Sequence, residues 1–319
     1  MKDAFGREID YLRVSLTDRC NLRCVYCMPE KGIANKLPHE EMLTLEEMYE
    51  IIKVFVNTGV KKIRFTGGEP LVRLGAVNLI ERVSKLEGVK EITMTTNGIL
   101  LEDYIEPLKK AGLNRVNISL DSLDAEKYKE ITRGGDIQRV KRAIKKAIEY
   151  DLNPVKINTV LIGGFNDDEI EDFVNLTINH PIDVRFIELM PIGEAKNFAK
   201  AKFIPNSTVL SRVSALEKIE NDDIHSPAQY YKLPNAIGKV GLINPISCKF
   251  CKDCNRVRLT STGKLKLCLH SNREIDLKKY LYEGENLEEV IREAILSKEK
   301  EHELEKDITI NRNMNEIGG

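Results

Sequence analysis

Net charge, long apolar stretches and cysteines outside two small groups are all scarce in this sequence of 319 residues. Lys and Arg number 49 against 50 Asp and Glu, a net charge of −1, and such a balance argues against a general nucleic-acid or anionic-membrane surface. Any polyanion must be met locally. No segment approaches the roughly 18 apolar residues of a membrane span. The opening MKDAFGREIDYLRVSL is charged throughout and lacks the apolar stretch of a secretory signal. A cytoplasmic protein is therefore expected. In that reducing compartment seven cysteines do not read as a disulfide framework, and their clustering at two places points to metal sites. Nor does a chain of this length need disulfides, since it can bury about three quarters of its unfolded surface.

What is present begins with short apolar, β-branched runs: YLRVSL, KKIRFTG, KEITMTT, LNRVNISL, PVKINTVL and DVRFIEL. They predict six strands. Between them lie helical patterns such as TLEEMYEIIKVFVNTG, where Thr44 and Glu47 form a capping-box pair and Gly59 ends the helix. LGAVNLIERVSKLEG and IQRVKRAIKKAIEYD are similar. Six strands alternating with helices predict an α/β fold, a partial (β/α)6 barrel rather than a complete eight-stranded one, with its chemistry at the C-terminal strand ends. After about residue 225 the pattern changes to QYYKLP, GKVGLI and NRVRLTSTGKLKLCL, the last turning at Ser261-Thr262-Gly263 as an antiparallel hairpin. The expected division is 1–225 for the barrel and 226–319 for a small antiparallel β plus helical module. The charged run KEKEHELEKD near 298–307 reads as a solvated helix face.

Cys20, Cys24 and Cys27 follow the first strand, where three thiolates can converge on one face of an iron–sulfur cube and leave one iron open. A ferredoxin would want a fourth cysteine nearby. A zinc site would also want a fourth ligand, the nearest histidine being His39. An open iron can chelate the amino and carboxylate groups of S-adenosylmethionine. Gly67-Gly68-Glu69-Pro70 after the second strand lets backbone approach a ligand and stiffens the exit. The cysteine spacing, Tyr26 before the last cysteine, and GGEP together resemble the radical S-adenosylmethionine superfamily.

A second triad, Cys251, Cys254 and Cys268, sits in the C-terminal module, with Cys268 expected on the return strand of the hairpin. Cys248 or His270 could supply a fourth ligand. Otherwise Cys248 is an ordinary thiol, His270 a polar surface residue, and this cluster too has an open iron. Between the ligands, Arg256 and Arg258 alternate along a strand and so share a face. Two planar cations beside a cluster suit a phosphate or a purine edge.

Read in order, FGREIDYLRVSLTDRCNLRCVYCMP, KIRFTGGEPLVR, TTNG, NISLDSLD, ITRGGD, RFIELMPIG, CKDCNRVRLTSTGKLKLCL and the terminal MNEIGG closely resemble the GTP 3′,8-cyclase (MoaA) family of molybdenum-cofactor biosynthesis. The resemblance implies two 4Fe-4S clusters. The first, on Cys20, Cys24 and Cys27, cleaves S-adenosylmethionine to a radical that takes hydrogen from the ribose C3′ of GTP. The carbon radical then attacks C8 of guanine. Tyr26, Gly68, Ser119 and Met190 match positions that line S-adenosylmethionine. Arg13, Arg64, Thr95, Lys156, Arg256, Val257 and Arg258 match positions that hold GTP, with Arg185 a further phosphate candidate. On the same grounds Cys251, Cys254 and Cys268 present an open iron to the guanine, and Ile317-Gly318-Gly319 is a tail entering the active site. A reducing electron donor, a homodimer and a downstream cyclic pyranopterin monophosphate synthase are implied as partners, with neither nucleic acid nor membrane. Two rivals stand beside this reading: a radical enzyme that modifies peptides, which would want more cysteines, and a two-cluster electron-transfer protein, which would not need GGEP.

Overall fold

Along the first six strands, residues alternate between apolar side chains that pack under helices and polar ones that face inward. The strands are β1 (Tyr11–Ser15), β2 (Lys62–Thr66), β3 (Glu91–Thr96), β4 (Arg115–Ser119), β5 (Val155–Leu161) and β6 (Ile182–Glu188). They pair in parallel, each with the next in chain order. A computed structural model describes residues 1–32, 38–302, 310 and 312–318. Leu12 and Val14 of β1, Ile63 and Phe65 of β2, and Val116 and Ile118 of β4 are fully buried in one core with the covering helices. Removing that apolar surface from water is the main driving term of the fold.

The capping box occurs as expected. Thr44 Oγ1 accepts from the Glu47 amide at 3.1 Å, and the Glu47 carboxylate accepts from the Thr44 amide at 2.7 Å, opening the helix Leu45–Asn57. Gly59 leaves that helix with φ of 106°, a left-handed conformation that favours glycine.

The later strands are β7 (Glu217–Lys218), β8 (Ala228–Lys232), β9 (Val240–Ile243), β10 (Arg256–Leu259), β11 (Lys264–Lys266) and β12 (Ile275–Asp276). All belong to the same sheet, in the order β12-β11-β10-β1-β2-β3-β4-β5-β6-β9-β8-β7. β10 runs parallel to β1 and β9 parallel to β6. The C-terminal residues thus extend both edges of the parallel sheet, with antiparallel strands beyond them on each side. The β10–β11 turn falls at Ser261–Gly263, with Gly263 at φ of 81°.

Two expectations need correction. Cys268 lies just beyond the return strand rather than on it, because β11 ends at Lys266. The run 298–307 is no solvated helix face where it is described. The preceding helix ends at Leu296, and Lys298 and His302 are buried; residues 303–307 lie outside the described residues. No helix among the described residues is long and apolar enough to cross a membrane.

Candidate active site at the C-terminal ends of the strands

Inward-facing polar residues of neighbouring strands stack where the parallel register aligns them. Arg258 of β10, Arg13 of β1 and Arg64 of β2 are direct register partners in three adjacent strands. These arginines face the interior because Leu12, Val14, Ile63 and Phe65 take the helix-facing positions. Arg64 Nε donates to Thr93 Oγ1 at 3.1 Å, and Arg185 Nη2 donates to Asn117 Oδ1 at 2.7 Å. Burial, with the neighbouring arginines, lowers the pKa of Arg13 and brings Arg258 down to about 10. Arg64 also falls to about 10, burial being the main cause. A crowd of cations out of water is costly until an anion joins it.

Tyr11 lies among them. Its ring has the Arg64 guanidinium 5.3 Å away and that of Arg256 5.5 Å away. Burial pushes the phenol up, but Arg64, Arg13, Arg256 and Arg115 together outweigh it and bring it to about 8.

Cys20, Cys24 and Cys27 line one part of the same cavity, of about 320 Å³. Burial raises the Cys20 and Cys24 thiols, with Cys27, Asp121 and Cys20 adding to the rise at Cys24. Burial and Cys20 push Cys27 up to about 12. Three such thiolates repel one another, and a cationic cluster relieves the repulsion. The GGEP loop fits closely beneath them. The Gly68 amide donates to Thr17 O at 2.7 Å, and a Cβ at Gly68 would lie 2.4 Å from Arg19 O. Glu69 is fully buried and accepts from the Asn97 amide, Thr96 Oγ1 and the Leu71 amide, so the loop after β2 grips the loop after β3. Tyr26 Oη donates to Asp121 Oδ2 at 2.6 Å.

Cys251, Cys254 and Cys268 open onto the same cavity. Burial raises the Cys251 and Cys268 thiols. At Cys254 burial is outweighed by Lys298, the Arg256 amide, Arg256 and Arg7, and the thiol is held below its ordinary value. Cys248 is exposed and outside the cavity wall. His270 is not a surface residue. It is buried, its Nε2 lies 3.3 Å from Met190 Sδ, and its ring packs edge-on against His302 at 4.4 Å. Among the described residues no three His, Cys, Asp or Glu side chains close around a single metal ion.

The cavity therefore gathers both triads with Tyr26, Gly68, Ser119 and Met190, and also Arg13, Arg64, Thr95, Arg256 and Arg258. Two sequence candidates stand apart from its wall. Lys156 points inward but lies deeper along β5, 3.5 Å from Asp183 and 3.3 Å from Tyr230 Oη. Val257 alternates to the other face of β10 and is buried in the apolar core. The tail enters as expected: Gly318 O accepts from Thr66 Oγ1 at 2.9 Å and from Arg258 Nη1 at 3.2 Å, while Gly319 is outside the described residues. Sequence reading missed Asp121, Asn97 and Tyr11. The first two carry a usable signal, since both lie within two residues of a strand end, in NISLDSLD and TTNG.

Residues 14–177 match the family described as the Radical SAM superfamily, and residues 182–304 match Molybdenum Cofactor Synthesis C. The GTP 3′,8-cyclase of Peptoclostridium acidaminophilum is 57% identical over 99% of this chain and 98% of its own length. The chain belongs to the GTP 3′,8-cyclase family. Another member, from Alkaliphilus oremlandii, is 56% identical over the full length of both. Streptococcus suis SuiB bound to S-adenosylmethionine shares the fold, with a TM-score of 0.61 at 17% identity, covering 91% of this chain and 68% of that one. As a member of this family and of the radical S-adenosylmethionine superfamily, the chain has a mixed α/β core built on a parallel sheet, with antiparallel strands following it.

Proposed function

We propose that this chain converts GTP to 3′,8-cyclo-7,8-dihydroguanosine 5′-triphosphate, the first committed chemistry of molybdenum-cofactor biosynthesis. The observation that carries the reading is the meeting of two cysteine triads and a ladder of buried arginines in one cavity. When bound, the first cluster supplies the electron that cleaves S-adenosylmethionine and so starts hydrogen abstraction from the ribose.

The chain's own residues bind, orient and shield. Cys20, Cys24 and Cys27 hold the first cluster, and Cys251, Cys254 and Cys268 the second. Gly68 leaves room for the amino group of S-adenosylmethionine, Ser119 offers a hydroxyl, and Met190 and Tyr26 pack against the rest. Arg13, Arg64, Arg256 and Arg258 neutralise the triphosphate; Thr95 and Arg185 add donors from the facing strands, and Lys156 a cation deeper in the barrel. Val257 serves through β10, by fixing which face its two arginines present. Residues 1–225 act as the radical barrel and 226–319 as the part that reads the substrate. A cytoplasmic homodimer, supplied by a low-potential electron donor and emptied by cyclic pyranopterin monophosphate synthase, completes the proposal.

Simple electron transfer would give this concentration of guanidinium groups nothing to bind, and a triphosphate brings more negative charge to them than a single peptide carboxylate does. Anaerobically reconstituted protein with GTP, S-adenosylmethionine and a strong reductant is expected to yield 5′-deoxyadenosine and a cyclised guanosine triphosphate in step. Deoxyadenosine formed equally well without GTP, and no nucleotide product, would remove the substrate assignment.

A further inference from the structure

Lys298 is about 3% exposed, a rare state for lysine. Its ammonium donates to Arg256 O at 3.2 Å and, more closely, to Leu267 O. Both acceptors are neutral carbonyls, and among the described residues no carboxylate lies within ion-pair distance of it. Arg256 is two residues after Cys254, and Leu267 immediately precedes Cys268. One cation thus braces the two backbone stretches that carry two of the second triad's sulfurs.

The segment around it is anchored to the same place. Arg7 donates to Cys251 O at 2.9 Å, to Glu299 O at 2.6 Å and to Lys300 O at 2.8 Å. Lys249 Nζ donates to His302 O at 3.2 Å, and the His302 ring packs on His270. The Lys298 charge favours the thiolate at all three sulfurs; burial outweighs it at Cys251 and Cys268, which stay above the ordinary thiol value, while Cys254 falls below it. A buried ammonium whose hydrogen-bond partners among the described residues are neutral carbonyls is expensive. The three thiolates, which outweigh the positive charge of the cluster core they would hold, are the anionic groups placed to offset that cost.

We propose that Lys298 is a positioning residue of the second iron–sulfur centre: a fixed positive charge behind the ligands that favours the reduced, more negative cluster. The inference rests on the reading of Cys251, Cys254 and Cys268 as cluster ligands. Hydrogen bonds and charge near a cluster are among the terms that set its potential.

The test is an EPR-monitored redox titration of anaerobically reconstituted holoenzyme, with iron counted per chain, for the native protein, Lys298→Met and Lys298→Arg. The centre whose signal responds to S-adenosylmethionine marks the first cluster. In Lys298→Met the reduced-to-oxidised ratio of the other centre at a fixed potential is expected to fall tenfold, ~59 mV for one electron. The first centre stays where it was, and Lys298→Arg restores most of the loss. An unchanged potential in a fully loaded Lys298→Met protein overturns the proposal. Loss of the second centre from the Met variant but not the Arg variant supports it, whereas loss from both reduces Lys298 to packing and overturns it. About four irons per chain in the native protein would sink the ligand reading itself, and this inference with it.

Discussion

At the scale of the residue, Tyr11 shows how the arginines constrain one another. Its phenol sits at about 8 in the substrate-free protein, burial notwithstanding, because four guanidinium groups favour the phenolate. A triphosphate arriving among the same arginines competes with that negative charge. GTP affinity is therefore expected to weaken as pH rises above about 8, by at most tenfold per pH unit. Titrating the dissociation constant between pH 7 and pH 9 checks this. Tyr11→Phe should flatten the profile while leaving binding near pH 7 within severalfold of native; a profile that keeps its slope in that variant would exclude Tyr11 as the titrating group.

Among the elements, loops matter more than strands here, and Glu69 joins two of them. Burial raises its carboxyl from 4.5 to about 7, more than the donors from Asn97, Thr96 and Leu71 oppose. The folded state keeps a proton that the unfolded chain releases near pH 4.5. Stability from that proton is full below about pH 4.5 and lost as pH rises through about 7. Glu69→Gln is expected to remove a fall of roughly 3 kcal/mol across that window, seen as a flatter urea midpoint against pH. The strands and the helix Leu45–Asn57 were legible from periodicity and caps, as were the triads from spacing. Inward direction at Arg13, Arg64 and Lys156 was not, because alternation in one strand gives two faces without saying which meets the helices. Lys298 misled for a related reason: a charged run looks solvated until a carbonyl pair far away in sequence claims one ammonium.

For the whole molecule, the sheet order decides how the parts depend on one another. β10 covers the edge of β1 and β9 covers the edge of β6, so residues past 225 extend the six-stranded parallel sheet on both sides. No short-range pattern could reveal either pairing, since Tyr11 of β1 pairs with Arg256 of β10, 245 residues away, and Val184 of β6 with Val240 of β9, 56 residues away, leaving no local trace in the strands. Barrel and C-terminal strands are expected to unfold together: fluorescence of labels on β3 and on β11 should give coincident denaturant midpoints. A separate earlier transition at β11 would show the C-terminal part to be independent. The same sheet order bears on how the protein is made. The cysteines at 20–27 are translated well before β10, the strand beside β1, and before the Lys298 segment behind the second triad. The cavity shared by the two triads therefore lacks part of its wall until β10 and the residues after it are made, and iron and sulfide are expected to be installed after that point, while the thiols of the first triad wait unprotected.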